Sequence, residues 1–289
     1  MSTATGTAST TVRPRAPRPP LLVAGLVIVA AFGAVALLGP LLAPYDPSDL
    51  SGGAVEHPSA RHLLGTNDIG QDIFSELIIG TRSSLVVAIP GATLAVAIGI
   101  LVGVGAGLRG GWVDVAVMRV VDGFLALPGL PLVVLLASLA GTSRVALVVV
   151  IAMAGWPPIA HVLHSQVLQL RNRGFVRAAR GFGASSGYVM GHHLVPAVGP
   201  IAAAGFVQWA STGIVLEAGL AFLGLGDPST VSWGTMLNRA LDYQGLYYSS
   251  LWIWWVLPAG LAITLAALGF AFVGVGLEPR FNPQWRKAL

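Results

Sequence analysis

The 289-residue chain contains no cysteine and a single lysine, Lys287. Without thiols, structural disulfides, thiolate nucleophiles and cysteine-ligated iron–sulfur clusters are excluded within it. The scarcity of lysine removes a second class of function. A phosphate-binding loop sets Gly-Lys ahead of Ser or Thr so that the ammonium reaches the nucleotide phosphates, whereas Lys287 follows Arg286. This chain is therefore not a P-loop ATPase. Charge is thin as well: 10% of the residues are charged, where soluble domains run at about 25%. What remains is 55% apolar, with a mean hydropathy of +0.77, a balance that points to a membrane protein.

Crossing a hydrocarbon core about 30 Å thick takes about 20 helical residues. Six uncharged runs are long enough or nearly so: Leu21–Ala43, Ser84–Leu108, Gly123–Ser143, Val145 to about Val162, Val195–Leu216 and Leu251–Gly276. The expected fold is an all-α bundle of six transmembrane helices. Its fourth span is interrupted by Trp156-Pro157-Pro158 and followed by His161 and His164. Basic residues set the orientation. With the N-terminus inside, twelve of them, including Arg13, Arg109, Arg177, Arg180 and Arg280, fall in cytoplasmic segments, against four (Arg61, Arg82, Arg144 and Arg239) outside. That asymmetry predicts cytoplasmic N- and C-termini and accounts for the net charge of +4 without nucleic acid.

The expected organisation is a disordered cytosolic tail over 1–19, a first helix and outer loop over 20–82, a permease core over 83–277 and a cytosolic tail over 278–289. A secretory signal peptide is disfavoured, because the first apolar run exceeds the usual core and no small-x-small site precedes "PYDPSDL". Gly91, Ala95, Gly99, Gly103, Gly107 and Gly111 recur every four residues along the second span. Spacing of four keeps them near one helix face, where a neighbouring backbone can approach closely. The pattern predicts a packing seam.

Between two apolar runs lies a polar, glycine-punctuated loop, "FVRAARGFGASSGYVMGHHLVP", Phe175–Pro196. Ala178, Ala179 and Gly183 are small, Arg177 and Arg180 keep the segment in water, and Pro196 opens the next helix. In its order Ala-Ala, Gly and Pro the loop resembles the EAA loop of ATP-binding-cassette (ABC) import permeases. Further pieces resemble the C-type permease subunit of the peptide and nickel import group: "LLAPYDP" (41–47), "HLLGTNDIGQDIFSELIIGTRSSL" (62–85), "GGWVDVAVMRVVDGFLALPGLPL" (110–132), "EAGLAFLGLG" (217–226) and "SWGTML" (232–237). Two positions depart from the group: Arg177 stands where it usually has Glu, and Gln71 where it usually has Arg.

The resemblance implies a type I importer permease in a prokaryotic inner membrane. Its expected partners are a homologous permease, two ATPase subunits carrying ATP and Mg, and an extracytoplasmic binding protein. No cofactor or metal is expected in this chain. Its coupling loop spans about 171–195, with Arg177, Ala178, Ala179, Arg180, Gly183 and Pro196 as coupling residues. The expected cargo is a dipeptide or oligopeptide, with nickel or another small solute as the alternative.

Other chemistries fare worse. "GASSG", 183–187, matches a serine-hydrolase elbow but lacks the preceding strand and an acid to orient His192 or His193. His161 and His164 make a weak metal pair without a carboxylate beside them, and Asp122 reads as an interfacial carboxylate close to Arg119. A secondary transporter would carry coupling charges near mid-membrane, and these spans hold almost none. Glu217, near the outer end of the fifth span, either approaches the pathway or makes a structural polar contact. Trp252, Trp254 and Trp255, with Tyr243, Tyr247 and Tyr248, are expected in an interfacial aromatic belt.

Overall fold

The structure, a computed structural model, describes residues 19–281, without the side chains of residues 19, 180 and 278–281. The expected terminal tails therefore lie almost wholly outside the described residues. Among the described residues ten α-helices follow one another: α1 (Pro19–Leu42), α2 (Ile73–Arg109), α3 (Gly111–Leu125), α4 (Gly129–Ala140), α5 (Arg144–Leu170), α6 (Gly174–Gly181), α7 (Ser186–Val189), α8 (Val195–Phe222), α9 (Trp233–Asp242) and α10 (Val256–Phe281). Among the described residues there is no strand, only an isolated bridge between Thr66 and Asp72. Five helical stretches of the described residues are long and apolar enough to cross a membrane, and a sixth is reached if α3 and α4 count as one broken span.

The expected third span, Gly123–Ser143, is the one that changes most. It falls across α3 and α4, which meet at a 93° bend. The break lies at Ala126-Leu127-Pro128. A proline biases the residue before it away from helical geometry and cannot donate into the ladder, so "LPGLP" stops one helix and starts another. The paired prolines of α5 act differently: the helix runs unbroken through Pro157 and Pro158 to Leu170. Close neighbours make such prolines tolerable in a membrane helix; the carbonyls they leave without an i+4 donor are those of Met153 and Ala154, and α8 packs just ahead of these, its Trp209 indole donating to the Ile151 carbonyl at 3.1 Å.

α2 also starts earlier than hydropathy predicts, at Ile73 and not Ser84. Asp72 caps it, its carboxylate accepting from the Ser75 amide at 2.8 Å. Along α2 the small residues face α5. A Cβ added at Gly91 would lie 2.8 Å from Ile151 Cγ2, one at Gly99 2.6 Å from Ile159 Cγ2 and one at Gly107 2.9 Å from Val167 Cγ1, while one at Gly103 would strike the Ala160 carbonyl. Gly111 is not part of this face, because α2 ends at Arg109 and Gly110 and Gly111 turn the chain at positive φ. Contacts that advance in step, 91 with 151 and 107 with 167, make α2 and α5 parallel neighbours. A second close approach joins α1 and α10, where a Cβ at Gly25 would meet Val273 and one at Gly276 would meet Leu22.

The aromatic belt is only partly realised. Tyr248 and Tyr247 are exposed, but Trp255 is fully buried in the core beside Tyr243. Ahead of α2 the chain folds back on itself through a buried pair, His62 Nδ1 to Asp72 Oδ1 at 2.9 Å.

Candidate functional site

The loop between α5 and α8 is built from three short helical pieces. Arg171, at the end of α5, donates to the Gly107 carbonyl of α2 at 3.1 Å and ties the loop to the bundle. α6 then follows. It ends in a turn where the Phe182 amide donates to Ala178 O and the Ala184 amide to Ala179 O, both at 3.0 Å, with Gly183 at φ +82°. That is a Schellman-type stop, which asks for a residue free to take positive φ. A Cβ at Gly183 would meet nothing within 4 Å. Within this chain, glycine is asked for at 183 by the backbone and not by neighbouring atoms. Ser185 caps α7, accepting from the Tyr188 amide at 3.2 Å.

Between α7 and α8, residues Met190–Leu194 form a π-helical turn in which the Val195 amide donates to Met190 O. The turn leads into α8, where Pro196 stands in the first turn and its missing N–H costs none of that helix's own bonds. Pro196 accordingly does not begin the helical path, which starts ten residues earlier at Ser186.

Burial divides the loop into an anchor and an outer face. Val176, Val189 and Leu194 are fully buried in a cluster with Leu108, Leu163 and Val167. Ala179 packs partly against the same cluster, whereas Arg177, Ala178 and Gly183 are exposed. The Arg180 side chain lies outside the described residues. Two aromatic residues that the sequence reading passed over stand on the outer face: Phe175, 47% exposed, and Phe182, 92% exposed. A signal for Phe182 was present, since an aromatic residue between two glycines in a polar loop has no core of its own to enter. Tyr188 stacks on His192 with ring centroids 4.2 Å apart. No carboxylate pairs with Arg177 among the described residues.

The remaining singled-out residues are elsewhere. Glu217 is 2% exposed and enclosed by α2, α8 and α9, with the hydroxyls of Ser84 and Ser232 beside its carboxyl. Its Oε2 has no hydrogen-bond partner. Leaving buried polar groups unpaired costs about 1–3 kcal/mol, so Glu217→Ala, which takes away the acceptor beside both serine hydroxyls while their oxygens still accept from the Trp233 and Thr235 amides, is expected to lower the thermal unfolding midpoint in detergent. Glu217→Gln keeps the shape and a hydrogen-bonding group and is expected to unfold much closer to the parent. Equal midpoints for the two variants would show that the carboxamide contacts contribute nothing.

The two histidines of α5 do have carboxylates beside them, contrary to the sequence reading. His164 Nε2 lies 2.6 Å from Asp114 Oδ1, and His161 Nδ1 lies 3.9 Å from Asp122 Oδ1. Asp122 thus lies within ion-pair reach of His161, and no ion pair between it and Arg119 forms among the described residues. The sequence could not show this, because α3 packs beside α5 only after the chain turns at Gly110-Gly111. No group of three or more metal-ligating side chains forms among the described residues. Gln71 joins a polar cluster under α9: its Oε1 accepts from Arg239 Nη1 at 2.6 Å and from Asn67 Nδ2 at 2.8 Å, while Arg239 Nε pairs with Asp68 at 2.8 Å. A guanidinium therefore reaches this cluster from α9.

Comparison with known proteins agrees with this geometry. Residues 99–287 match the family model for the binding-protein-dependent transport system inner membrane component. Residues 18–61 match the model for the N-terminal transmembrane domain of oligopeptide transport permease C. The chain is similar to the dipeptide transport system permease protein of Alkalihalophilus pseudofirmus, at 34% identity over 92% of this chain and 86% of that one. To the oligopeptide transport system permease protein of Bacillus subtilis it is 34% identical over 92% and 87%. To the nickel transport system permease protein of Escherichia coli it is 35% identical over 89% and 92%.

Proposed function

Since the chain belongs to the binding-protein-dependent transport system inner membrane components, the permeases of ABC importers, we propose that it forms half of a peptide translocation pathway and takes up force through the loop between α5 and α8. As a permease of this family it is a multi-pass inner-membrane protein. The loop carries the coupling assignment. It is anchored by Val176, Val189 and Leu194, yet turns an exposed aromatic, Phe182, and an exposed arginine without a carboxylate partner among the described residues, Arg177, away from the bundle. A surface of that composition suits a protein partner better than water alone.

On this reading the partners are a homologous permease, two ATPase subunits that hold ATP and Mg, and an extracytoplasmic binding protein. Hydrolysis takes place on the ATPases, and the permease itself does no chemistry. Movement of the ATPases displaces α6; Arg171, bonded to Gly107, and the buried valines carry that displacement into α2 and α5. The peptide cargo follows from the similarity to dipeptide and oligopeptide permeases, with nickel as the second reading because the nickel permease is as similar.

The absence of native cysteine makes a direct test available. Ala60→Cys, exposed in the segment ahead of α2, is expected to react with an impermeant thiol reagent added outside intact cells. Ser186→Cys, exposed at the start of α7, is expected to react only after the cytoplasmic face is opened and to be shielded when the ATPase subunits are bound. Labelling of Ser186→Cys from outside would overturn the orientation and the coupling role together.

A further inference from the structure

At the end of the bundle remote from the loop, two arginines share one cleft. The parallel register of α2 and α5, with Gly91 against Ile151 and Gly99 against Ile159, brings Arg144 level with Ser84 and therefore beside Arg82. The cleft between them has a volume of about 360 Å³ and is lined by Ile79, Arg82, Ser83, Val86 and Arg144. Its charge is not balanced. Arg82 has no ion pair or side-chain hydrogen bond among the described residues, and the one carboxylate near Arg144 is Asp227, 4.0 Å from Nε. Asp227 is already engaged: it accepts from the Ser229 hydroxyl at 2.6 Å and its amide at 3.0 Å. The Ser229 hydroxyl bond above all holds its carboxyl below the usual range. One anion thus stands against two cations.

Position makes the imbalance worse. Arg144 is the first residue of α5, where the helix ends in its own partial positive charge, and the first turn holds no acidic residue to offset it. Two guanidiniums and a helix N-terminus around a mostly apolar cleft form an arrangement that an incoming carboxylate would complete, since guanidinium presents a planar fork matched to two carboxylate oxygens.

We propose that Arg82 and Arg144 form an entry site for the carboxylate of the transported solute, on the peptide reading the C-terminal carboxylate, as it passes from the binding protein into the bundle. The inference rests on the transport reading above. Cation pairs at a pathway mouth also raise the local concentration of anions by focusing the field in a low-dielectric cleft. Both effects favour the zwitterionic free acid over its amide, which keeps only the ammonium charge.

The test uses the whole transporter in vesicles with its binding protein and ATP, and compares initial uptake of trialanine with that of trialanine amide. The binding protein's own preference is common to every preparation and cancels when acid-to-amide ratios are compared. Taking the ratio within each preparation removes differences in the amount of folded transporter. In the Arg82→Gln/Arg144→Gln double variant the ratio is expected to fall about tenfold from the parent value, and in Arg82→Lys/Arg144→Lys, which keeps both charges, to fall much less. Peptide uptake with an unchanged ratio in the glutamine variant would overturn the site while leaving the transport reading intact. A parent transporter that carries neither peptide would overturn the peptide reading and the site with it. A fall in ratio seen in anionic phosphatidylglycerol vesicles but absent in zwitterionic phosphatidylcholine vesicles would assign the arginines to anionic lipid headgroups and reject the carboxylate site.

Discussion

Phe182→Ala is expected to weaken binding of the ATPase subunits about 30-fold or more and to abolish most peptide-stimulated ATP hydrolysis, with insertion and thermal stability of the permease unchanged. The ring is 92% exposed and contributes nothing to the chain's own core, so its removal has no folding cost. On a partner, burying a phenylalanine side chain is worth about 1.5–3 kcal/mol, and anchors of this kind commonly cost about 2 kcal/mol or more on truncation, which is the 30-fold figure. Co-purification and ATPase measurement on the variant complex decide the matter. Arg177→Glu is the companion change in the same assay. If Arg177 meets a carboxylate of the ATPase, reversing its charge sets like against like and lowers coupled hydrolysis. Full activity of Arg177→Glu beside a defective Phe182→Ala would show that shape and apolar contact, and not charge, make the joint. Full activity of both would remove the coupling role from this face.

The second large effect is expected at the seam between α2 and α5. Gly103→Leu should leave membrane insertion intact, since leucine favours the bilayer, but lower the unfolding midpoint in detergent and the yield of folded protein. A Cβ at 103 would fall on the Ala160 carbonyl oxygen, which is backbone and cannot rotate aside, so the two helices must separate. Overpacking costs about 1–3 kcal/mol where side chains can adjust, and here the adjustment falls on two helix axes. Gly33→Leu on α1 is the control, because a Cβ there meets nothing within 4 Å. The same change in stability for both variants would mean that the seam adds nothing beyond the general cost of replacing glycine. The defect arises within this chain, since the residues Gly103 approaches belong to α5.

Several of these features were legible in the amino-acid sequence. Long uncharged runs impose helices, because a backbone in hydrocarbon must satisfy its own hydrogen bonds. The spacing of Gly91, Gly99, Gly103 and Gly107 marked a face of close approach, and "FVRAARGFGASSG" stood out as a polar segment that an apolar bundle has no internal use for. The family followed from motifs in order along the chain. Scarcity of lysine removed the phosphate-binding loop at the first reading.

Tertiary structure decided what depends on neighbours. Hydropathy counts apolar residues but does not register direction, so it joined α3 and α4 into one span across a 93° bend. It also began α2 at Ser84, although the Asp72 cap starts that helix eleven residues sooner. Which side of the loop faces outward was set by Val176, Val189 and Leu194 entering the core, and that is what leaves Phe182 outside. At Gly183 the sequence suggests a small contact residue, and the folded turn adds a second reason for glycine, a positive φ. Charge pairing lay furthest from the sequence. Asp114 finds His164 fifty positions on, and Arg82 comes beside Arg144 only through the register of two parallel helices. Periodicity along one helix fixes which face is small or apolar, but the partner of that face, and the charges that end up sharing a cleft, follow from how whole helices pack.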